Sequence, residues 1–491
     1  MSANVAKFPS PTGGWNAIDA LDAMAPNNAV ILDNIFPSAT TATLRKGHAV
    51  FCSTGEAGAV KTLFDYSGGG TSKLLAAASG KIIDVTSGTA SVLATGYNSD
   101  IWSFTNFATA GGTYVIACND SGLDTPFVYN GAAVAAIVAA GPGSLANLSQ
   151  VMIYQQRTFY VERNTLSVWY TAAGAFQGAL TQFDFGPFCS KGGSIAAITT
   201  WTRDNGYGGA DDLFVVVTTK GQVLLYNGPN PSVATLWAMS GQFNVGTPVS
   251  GPRAVVRTGP DILLLCGDGY QPLSEYLGSG STRAQTTDLA RQIGNAASDA
   301  VRDFGALAGW QAMVYPRGTA IIINVPQSST TFWQHVVNTT TGSWCRYKGQ
   351  NSYCWGLYNS DPYFGGAAGV VYKADTGWQD NGADIVGECQ ASFQSPGQMV
   401  QMSRWIMARP LIRTTGNIAY HLSLDVDFST SSLPTLDVTA SASSQTVVGA
   451  WLSTTGIGYS AAPHIWIKRT ADGTVELMNL QATFETSRSV V

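Results

Sequence analysis

The sequence predicts an all-β protein built around a β-propeller, because short β-rich runs and polar turns recur along most of the chain. Each unit has a hydrophobic run, a Gly, Asn or Asp turn, a second run and another polar turn. Several short strands in each of many units indicate propeller blades, since a single hairpin cannot bury both of its faces. The units occupy residues 73–87, 114–131, 157–170, 213–228, 262–277, 319–342 and 362–377.

The composition favours rigid, turn-dense β structure. Charged residues make up 12% of the 491 residues, whereas glycine accounts for 54 positions and aromatic residues for 11%. This balance is more typical of β structure than of a helical enzyme, and 45% hydrophobic residues can form a large packed interior. The net charge of −5 provides no general electrostatic attraction to nucleic acid.

The pattern divides the chain into three parts. We expect an extended N-terminal arm at 1–56, a propeller of six to eight blades at 57–380, and a C-terminal β-sandwich or barrel at 381–491. Seven is the blade number that the repeated units favour. Because closure removes exposed sheet edges, the arm or the C-terminal part of 57–377 should supply a strand that closes the ring.

The arm is broken by prolines and glycines into extended pieces, with one short helical turn predicted at 17–24 and capped by Asn16. Hydrophobic residues in its middle are candidates to anchor it to another surface, and each contributes about 1.5–3 kcal/mol when fully buried. These candidate anchors are Ile31, Leu32, Ile35 and Phe36.

One helix interrupts the strands. Apolar residues recur at helical spacing over 286–304, with Thr287 as a plausible N-cap and Gly305 as the stop. The apolar stripe favours packing on the propeller edge, while the charged outer face leaves a contact with another subunit or a ligand open. Arg291 and Arg302 are the candidate interface residues on that face.

No catalytic or cofactor motif is recognisable, so we expect a protein that is not an enzyme and needs no cofactor. The acidic segments 119–124 and 375–384 lack EF-hand spacing and are interpreted as turns, not metal sites. Seven scattered cysteines without a CxxC pattern predict buried free thiols in a protein made in a reducing cytoplasm. Without a signal segment or a long apolar run, we expect a soluble chain that does not insert into membranes.

Two segments carry a resemblance to a known family. Residues 13–47 read GGWNAIDALDAMAPNNAVILDNIFPSATTATLRKG, and residues 344–382 read WCRYKGQNSYCWGLYNSDPYFGGAAGVVYKADTGWQDNG. The first resembles the opening of many tailed-bacteriophage structural proteins, and the second is similar to the end of the propeller in the same proteins. The chain therefore resembles tail nozzle proteins of short-tailed phages, also called tail tubular protein B or packaged-DNA stabilisation (head-closure) proteins.

The resemblance implies a structural virion protein located in the tail and made in the host cytoplasm. It implies a homo-hexameric ring below the adaptor ring of the connector, in contact with other tail proteins. Such a ring continues the channel for double-stranded DNA, retains the packaged genome and opens for ejection. An acidic chain with few positive charges suits a lumen over which DNA slides, because each neutralised phosphate adds affinity.

Two glycine-rich loops, 202–212 and 278–287, are candidates to close that channel before infection. Each contains one arginine, Arg203 or Arg283, that can contact a DNA phosphate, although ordinary solvated loops remain the alternative interpretation. A second function class is a receptor- or glycan-binding tail adhesin or a propeller enzyme. That class requires acidic and aromatic residues clustered on one propeller face, which the sequence does not locate.

Overall fold

The computed structural model describes residues 4–204, 210–259, 261–276, 290–396, 402–441 and 446–486. It contains a propeller of seven antiparallel blades, which confirms the predicted fold class and blade number. The first four blades have four strands each. Blade 1 consists of Thr62–Gly68, Thr71–Ala78, Lys81–Asp84 and Ser91–Thr95, and blade 2 of Trp102–Thr109, Gly112–Asn119, Phe127–Tyr129 and Val134–Ala136. Blade 3 consists of Leu148–Tyr154, Arg157–Glu162, Ser167–Tyr170 and Thr181–Asp184, and blade 4 of Ile195–Asp204, Ala210–Thr218, Gln222–Asn227 and Ala238–Asn244.

The last three blades complete their sheets in three different ways. Within the described residues, blade 5 has three strands, blade 6 continues into a larger sheet, and blade 7 takes its fourth strand from the N-terminal arm. Blade 5 consists of Val255–Arg257, Ile262–Cys266 and Gly269–Pro272. Blade 6 consists of Gln311–Tyr315, Ala320–Pro326, Phe332–Asn338 and Trp344–Tyr347. Blade 7 consists of Cys354–Tyr358, Asp361–Gly365, Val370–Ala374 and His48–Ser53.

The ring closes around an axis lined by the first strand of each blade. First strands of successive blades contact one another, including those of blades 7 and 1. The arm strand His48–Ser53 pairs with Val370–Ala374 as the outer strand of blade 7. The expected closing strand therefore comes from the arm, and closure leaves no open sheet edge between the first and last blades.

Helix α1, Gly294–Phe304, packs against the outer strand of blade 5 through Ala297, Ala300 and Val301. It begins later than predicted, because Arg291–Ile293 forms a 3-10 turn and Ile293 takes the N-cap position without a side-chain hydrogen bond. Thr287 lies outside the described residues, while Gly305 ends the helix as predicted.

The C-terminal domain is a sandwich of two sheets packed face to face around the largest hydrophobic cluster. The first sheet contains Asn4–Pro9, Ile35–Pro37, Ala42–Leu44, Ser403–Thr414, Thr446–Val448, Leu452–Gly458 and Val475–Thr486. The second contains Gly14–Trp15, Asn28–Asp33, Val386–Ala391, Ile418–Val426, Val438–Ala440 and Ala461–Arg469, and it continues through Asn28–Asp33 into blade 6.

The arm supplies strands to both sheets of the sandwich as well as to blade 7. Among the candidate anchors, Leu32 and Ile35 are each 1% exposed, and Ile31 and Phe36 are partly buried. The predicted helical turn at 17–24 is instead a series of bends and turns, in which Asn16 Oδ1 accepts hydrogen bonds from the N–H groups of Ile18 and Asp19. An Asx-type turn thus replaces the helix.

Several short elements lie outside the main blade strands. Ala139–Ala140 and Gly178–Ala179 form a two-stranded parallel pair between blades 2 and 3. The remaining 3-10 turns are Leu145–Asn147, Gly186–Phe188, Leu273–Tyr276 and Pro316–Gly318.

Candidate functional site: the propeller–sandwich junction and the propeller axis

The two segments singled out in the sequence meet in the structure. Asp33 ends the strand Asn28–Asp33, which runs parallel to the outer strand of blade 6 at Arg346. The Asp33 carboxylate accepts hydrogen bonds from Arg346 Nε at 2.7 Å and Nη2 at 2.8 Å, and it also pairs with Lys348. Because Asp33 is only 2% exposed, these two cations offset the loss of its hydration.

A second buried ion pair lies beside the first. Arg45 donates from Nη1 and Nη2 to Asp380, at 2.8 and 2.5 Å, and from Nε to Asn34 Oδ1 at 2.8 Å. His48 Nδ1 lies 2.9 Å from the same carboxylate. Burial alone would raise the pKa of Asp380, but the hydrogen bonds from Arg45 and His48 hold it below its ordinary value.

Two glycines of the arm, Gly14 and Gly47, allow its backbone to lie close to the backbone at Trp344 and Gln379. Gly14 has φ +84°, and a Cβ there would lie 2.6 Å from the backbone nitrogen of Trp344. A Cβ on Gly47 would lie 1.9 Å from the carbonyl oxygen of Gln379. Side chains at these two positions would push the arm away from the end of the propeller, which explains why the segments need glycine there.

The sandwich contributes Arg469 to the same region. Its guanidinium donates to the carbonyl oxygens of Leu44 at 2.5 Å, Arg45 at 2.9 Å and Gly473 at 2.7 Å, and it lies over the ring of Trp378. Burial, with a smaller effect of Arg45, lowers the pKa of Arg469 to about 10. We define the junction as residues 33–34, 45–48, 346–348 and 378–380 together with Arg469.

Buried histidines lie on both sides of the junction. His464 in the sandwich has Nδ1 2.8 Å from Asp425 and Nε2 3.1 Å from Glu388. Burial lowers the pKa of His464, but hydrogen bonds with both carboxylates outweigh burial and raise it. In blade 6, burial and then the charge of Arg346 lower the pKa of His335 to about 3.

The propeller axis is crossed by Arg253, which precedes the first strand of blade 5. Its Nη2 donates to Thr62 Oγ1 at 2.7 Å in blade 1 and to the carbonyl oxygen of Trp102 at 3.1 Å in blade 2. Its Nη1 donates to the carbonyl oxygen of Lys61 at 3.1 Å and to Gln311 Oε1 at 3.3 Å in blade 6. Arg253 therefore joins four blades, and it lines an axial cavity of about 330 Å³.

A larger cavity of about 870 Å³ opens on the face where the first strands begin. Its wall combines serine and threonine residues with aliphatic and proline residues, together with Asp120, Arg163 and Arg302. None of the described lining residues is aromatic, so this cavity lacks the stacking surface that a glycan platform uses.

The candidate interface residues lie apart from the junction. Arg302 is exposed and pairs with Asp299 at 2.6 Å and with Asp303 at 2.9 Å on its own helix, and Arg291 is exposed in the preceding turn. The candidate gate residue Arg203 belongs to the strand Ile195–Asp204 without a described side chain, and Arg283 lies outside the described residues. Thr202 and Asp212 form a cross-strand pair below the blade 4 hairpin tip.

The two segments that carry the resemblance contain both halves of the junction, but the sequence did not predict that they meet, and it gave no role to Arg253, Arg469 or His464. One signal for Arg253 is present: it is the only charged residue between Lys220 and Arg257. An isolated charge in a long neutral stretch often marks a buried, hydrogen-bonded role. His464 gives no such signal, because Asp425 and Glu388 lie on other strands and are distant in sequence.

Within the described parts of the chain, no group of three or more His, Cys, Asp or Glu residues is arranged to hold a metal ion. All seven cysteines are buried free thiols. No helix in these parts has the length and apolar character needed to cross a bilayer.

No family model matches the chain, and no curated protein matches it. Among solved structures, the computationally designed Ika8 protein is similar over 66% of this chain and 99% of its own chain, with 9% sequence identity and a TM-score of 0.37. BBS1N in complex with ARL6DN is similar over 68% of this chain and 96% of its own, with 10% identity and a TM-score of 0.41. YCF48 bound to D1 peptide is similar over 70% of this chain and 99% of its own chain, with 8% sequence identity and a TM-score of 0.39.

Proposed function

We propose that this chain is a structural virion protein of a short-tailed phage, a subunit of the tail nozzle or head-closure ring. In that role it assembles as a homo-hexamer below the connector, continues the DNA channel, retains the packaged genome and opens for ejection. The protein acts through its shape and its contacts and catalyses no reaction.

The junction is the observation that carries this proposal. Both segments that resemble the phage proteins converge on it, through the Asp33–Arg346 and Arg45–Asp380 ion pairs. A ring under the pressure of packaged DNA needs domains that do not move independently, and ion pairs with backbone hydrogen bonds between buried strands resist such movement. The resemblance thus concerns the residues that join the two domains.

The axis and the net charge bear on where DNA would pass. Arg253 bridges the first strands of several blades at hydrogen-bond distance, so a duplex has no room along the axis of a single propeller. In the proposed ring, the channel therefore lies between subunits. A net charge of −5 keeps the wall of such a channel from binding phosphates tightly.

The proposal is tested by locating the chain in assembled particles. Particles are produced with an affinity tag after residue 491 and imaged with a gold-labelled binder, while tagged major capsid protein serves as the control. We expect label in one ring at the tail end of the connector, and DNA loss from particles assembled without the chain. Label along fibres, or purified particles that contain no chain, would refute the proposal in favour of an adhesin or a non-virion role.

A further inference from the structure

The axial cavity of about 330 Å³ has a positively charged wall. Arg253 and Arg257 both line it, and no described Asp or Glu is among the lining residues. The other polar lining residues are neutral: Ser103, Thr105, Thr199, Thr200 and Gln311. The cavity therefore has two cationic side chains and, within the described chain, no anionic side chain of its own.

Arg253 is a partly buried cation with neutral hydrogen-bond partners only. Its Nη1 and Nη2 donate to Thr62 Oγ1, to Gln311 Oε1 and to the carbonyl oxygens of Lys61 and Trp102. Burial lowers the pKa of the Arg253 guanidinium, and no carboxylate of the described chain opposes that effect. A buried charge is usually paired, because neutral hydrogen bonds only partly replace its hydration. Arg253 thus lacks a counterion among the described residues.

One donor of the Arg253 guanidinium remains unused. The N–H groups of Nη1 and Nη2 are all committed to hydrogen bonds, whereas the Nε–H donates to no described residue. Nε is also not among the described polar atoms that are sealed from solvent without a partner. It therefore lies open to the cavity that the side chain lines, where a ligand oxygen can accept its hydrogen bond.

Arg257 and three threonines add further free donors to the same cavity. Arg257 is exposed and forms no hydrogen bond or ion pair with a described residue. The hydroxyls of Thr105, Thr199 and Thr200 also make no hydrogen bond within the described chain. Each hydroxyl can donate one hydrogen bond, so all of these groups suit an acceptor with negative charge.

Acidic residues of the neighbouring strands do not balance the two arginines. Burial raises the pKa of Asp212, and the hydrogen bond from Thr202 and the charge of Arg257 only partly offset this effect. Asp65, in the first strand of blade 1, also has a pKa raised by burial, and no cation acts on it. Neither carboxylate lines the cavity, so neither is the counterion that Arg253 lacks.

We propose that the axial cavity binds one small free oxyanion of the phosphate or sulfate class. The Arg253 Nε–H and the Arg257 guanidinium supply the positive groups, and arginine is well suited to bind the oxygens of such an ion. The threonine hydroxyls donate to the oxygens that remain. A water molecule takes up about 30 Å³ of the liquid, so the cavity accommodates the ion with part of its hydration shell.

The bound ion would stabilise the inner ring of the propeller. It neutralises Arg253, whose hydrogen bonds hold the first strands of several blades together. Ser103 and Pro252 line both this cavity and the larger one of about 870 Å³, so the two adjoin and give a small ion a route from the surface. The inference goes beyond the proposed function and does not depend on it, because a single free chain has the whole site.

Equilibrium dialysis of the purified full-length chain against radioactive inorganic phosphate tests the site. Sodium chloride keeps the ionic strength constant, and circular dichroism confirms that each variant is folded. We expect one phosphate per chain, displaced by unlabelled sulfate and not by acetate at the same concentration. R257M and T200V, which remove one donor each, should weaken binding at least tenfold. The matched control R404M removes an exposed arginine of the sandwich and should bind phosphate as the wild type does.

The remaining outcomes count against the site. Absence of binding at millimolar phosphate, or equal binding by the wild type, R257M and T200V, would overturn the proposal. A loss in R404M as large as in R257M would also overturn it, since it would show general attraction to surface arginines. A ten-nucleotide single-stranded DNA that displaced the phosphate would overturn the assignment to a small free ion. Gold label absent from virions would instead refute the proposed function and leave the dialysis result intact.

Discussion

At the scale of single residues, Asp380 is the carboxylate that links the arm to the end of the propeller. Its side chain is 9% exposed and accepts two hydrogen bonds from Arg45. In D380N the guanidinium of Arg45 would remain buried without a counterion, so we expect the free energy of unfolding to fall by about 3 kcal/mol. Urea unfolding followed by circular dichroism measures this change.

The matched control for that variant is D384N. Asp384 also pairs with a cation, Lys468, but its side chain is 41% exposed. Exposed ion pairs contribute about 0–1 kcal/mol, so D384N should change the free energy of unfolding little. Equal effects of D380N and D384N would show that the Arg45 contact does not stabilise the junction.

His464 makes the stability of the sandwich depend on pH. Its pKa is raised in the folded protein, so protonated His464 stabilises the fold fully below the unfolded value of 6.5. As the pH rises through the raised pKa, this contribution is lost. We expect wild-type urea midpoints to decline as the pH rises above about 6.5, and H464Q to lack that part of the decline.

His335 has the opposite effect on how the stability of the protein depends on pH. Its pKa is about 3 in the folded state, so the neutral imidazole is favoured and stability falls as the pH drops below 6.5. H335Q should weaken the acid-side decline and leave the alkaline side unchanged. If H464Q and H335Q altered the same side of the pH profile, the assignment of His464 to paired carboxylates would be wrong.

At the scale of elements, the first strands of the blades are held together by Arg253 as well as by their own packing. Replacing Arg253 with Met keeps most of the side-chain length but leaves the carbonyl oxygens of Lys61 and Trp102 without this donor. We expect R253M to lower the free energy of unfolding by about 2–3 kcal/mol. R257M, at an exposed arginine in the same blade, should have little effect in the same chemical-denaturation measurement.

The same elements show what the sequence could predict and what it could not. The hairpin formed by Ala210–Thr218 and Gln222–Asn227 is local, so its two hydrophobic runs and its turn glycine are readable in the sequence. The pairing of Asp33 with Arg346 joins residues 313 positions apart, and no local pattern specifies such a partner. The sequence therefore predicts an extended arm, but it does not predict that the arm supplies strands to both sheets of the sandwich.

At the scale of the whole molecule, the N-terminal arm up to residue 53 supplies strands to blade 7 and to both sheets of the sandwich. Its removal takes the outer strand from blade 7 and strands from both sandwich sheets. We expect a chain that begins at residue 54 to lose its cooperative thermal transition in circular dichroism. A chain that begins at residue 10 loses only Asn4–Pro9 and should retain that transition at a lower temperature; native melting of the longer deletion would contradict this.

The propeller and the sandwich share one sheet, so we expect them to unfold in a single transition. Cross-strand neighbours run without interruption from blade 6 to the sandwich strand Ile418–Val426: His335, Arg346, Asp33, Glu388, Trp466 and His421. Separating the domains would expose Asp33 and break its hydrogen bonds with Arg346, which opposes independent unfolding. Calorimetric and van't Hoff enthalpies should therefore agree for the wild type.

Weakening the contacts of the strand Asn28–Asp33 with blade 6 should split the single unfolding transition into two. In the double variant D33N/R346L the buried ion pair between the arm and blade 6 is gone, while the parallel pairing and the contacts of Arg45 and Asn34 remain. We expect two calorimetric peaks, with tryptophan fluorescence and circular dichroism no longer coincident. Two separate peaks already in the wild-type protein would contradict the argument, because they would mean that the continuous sheet does not couple the domains.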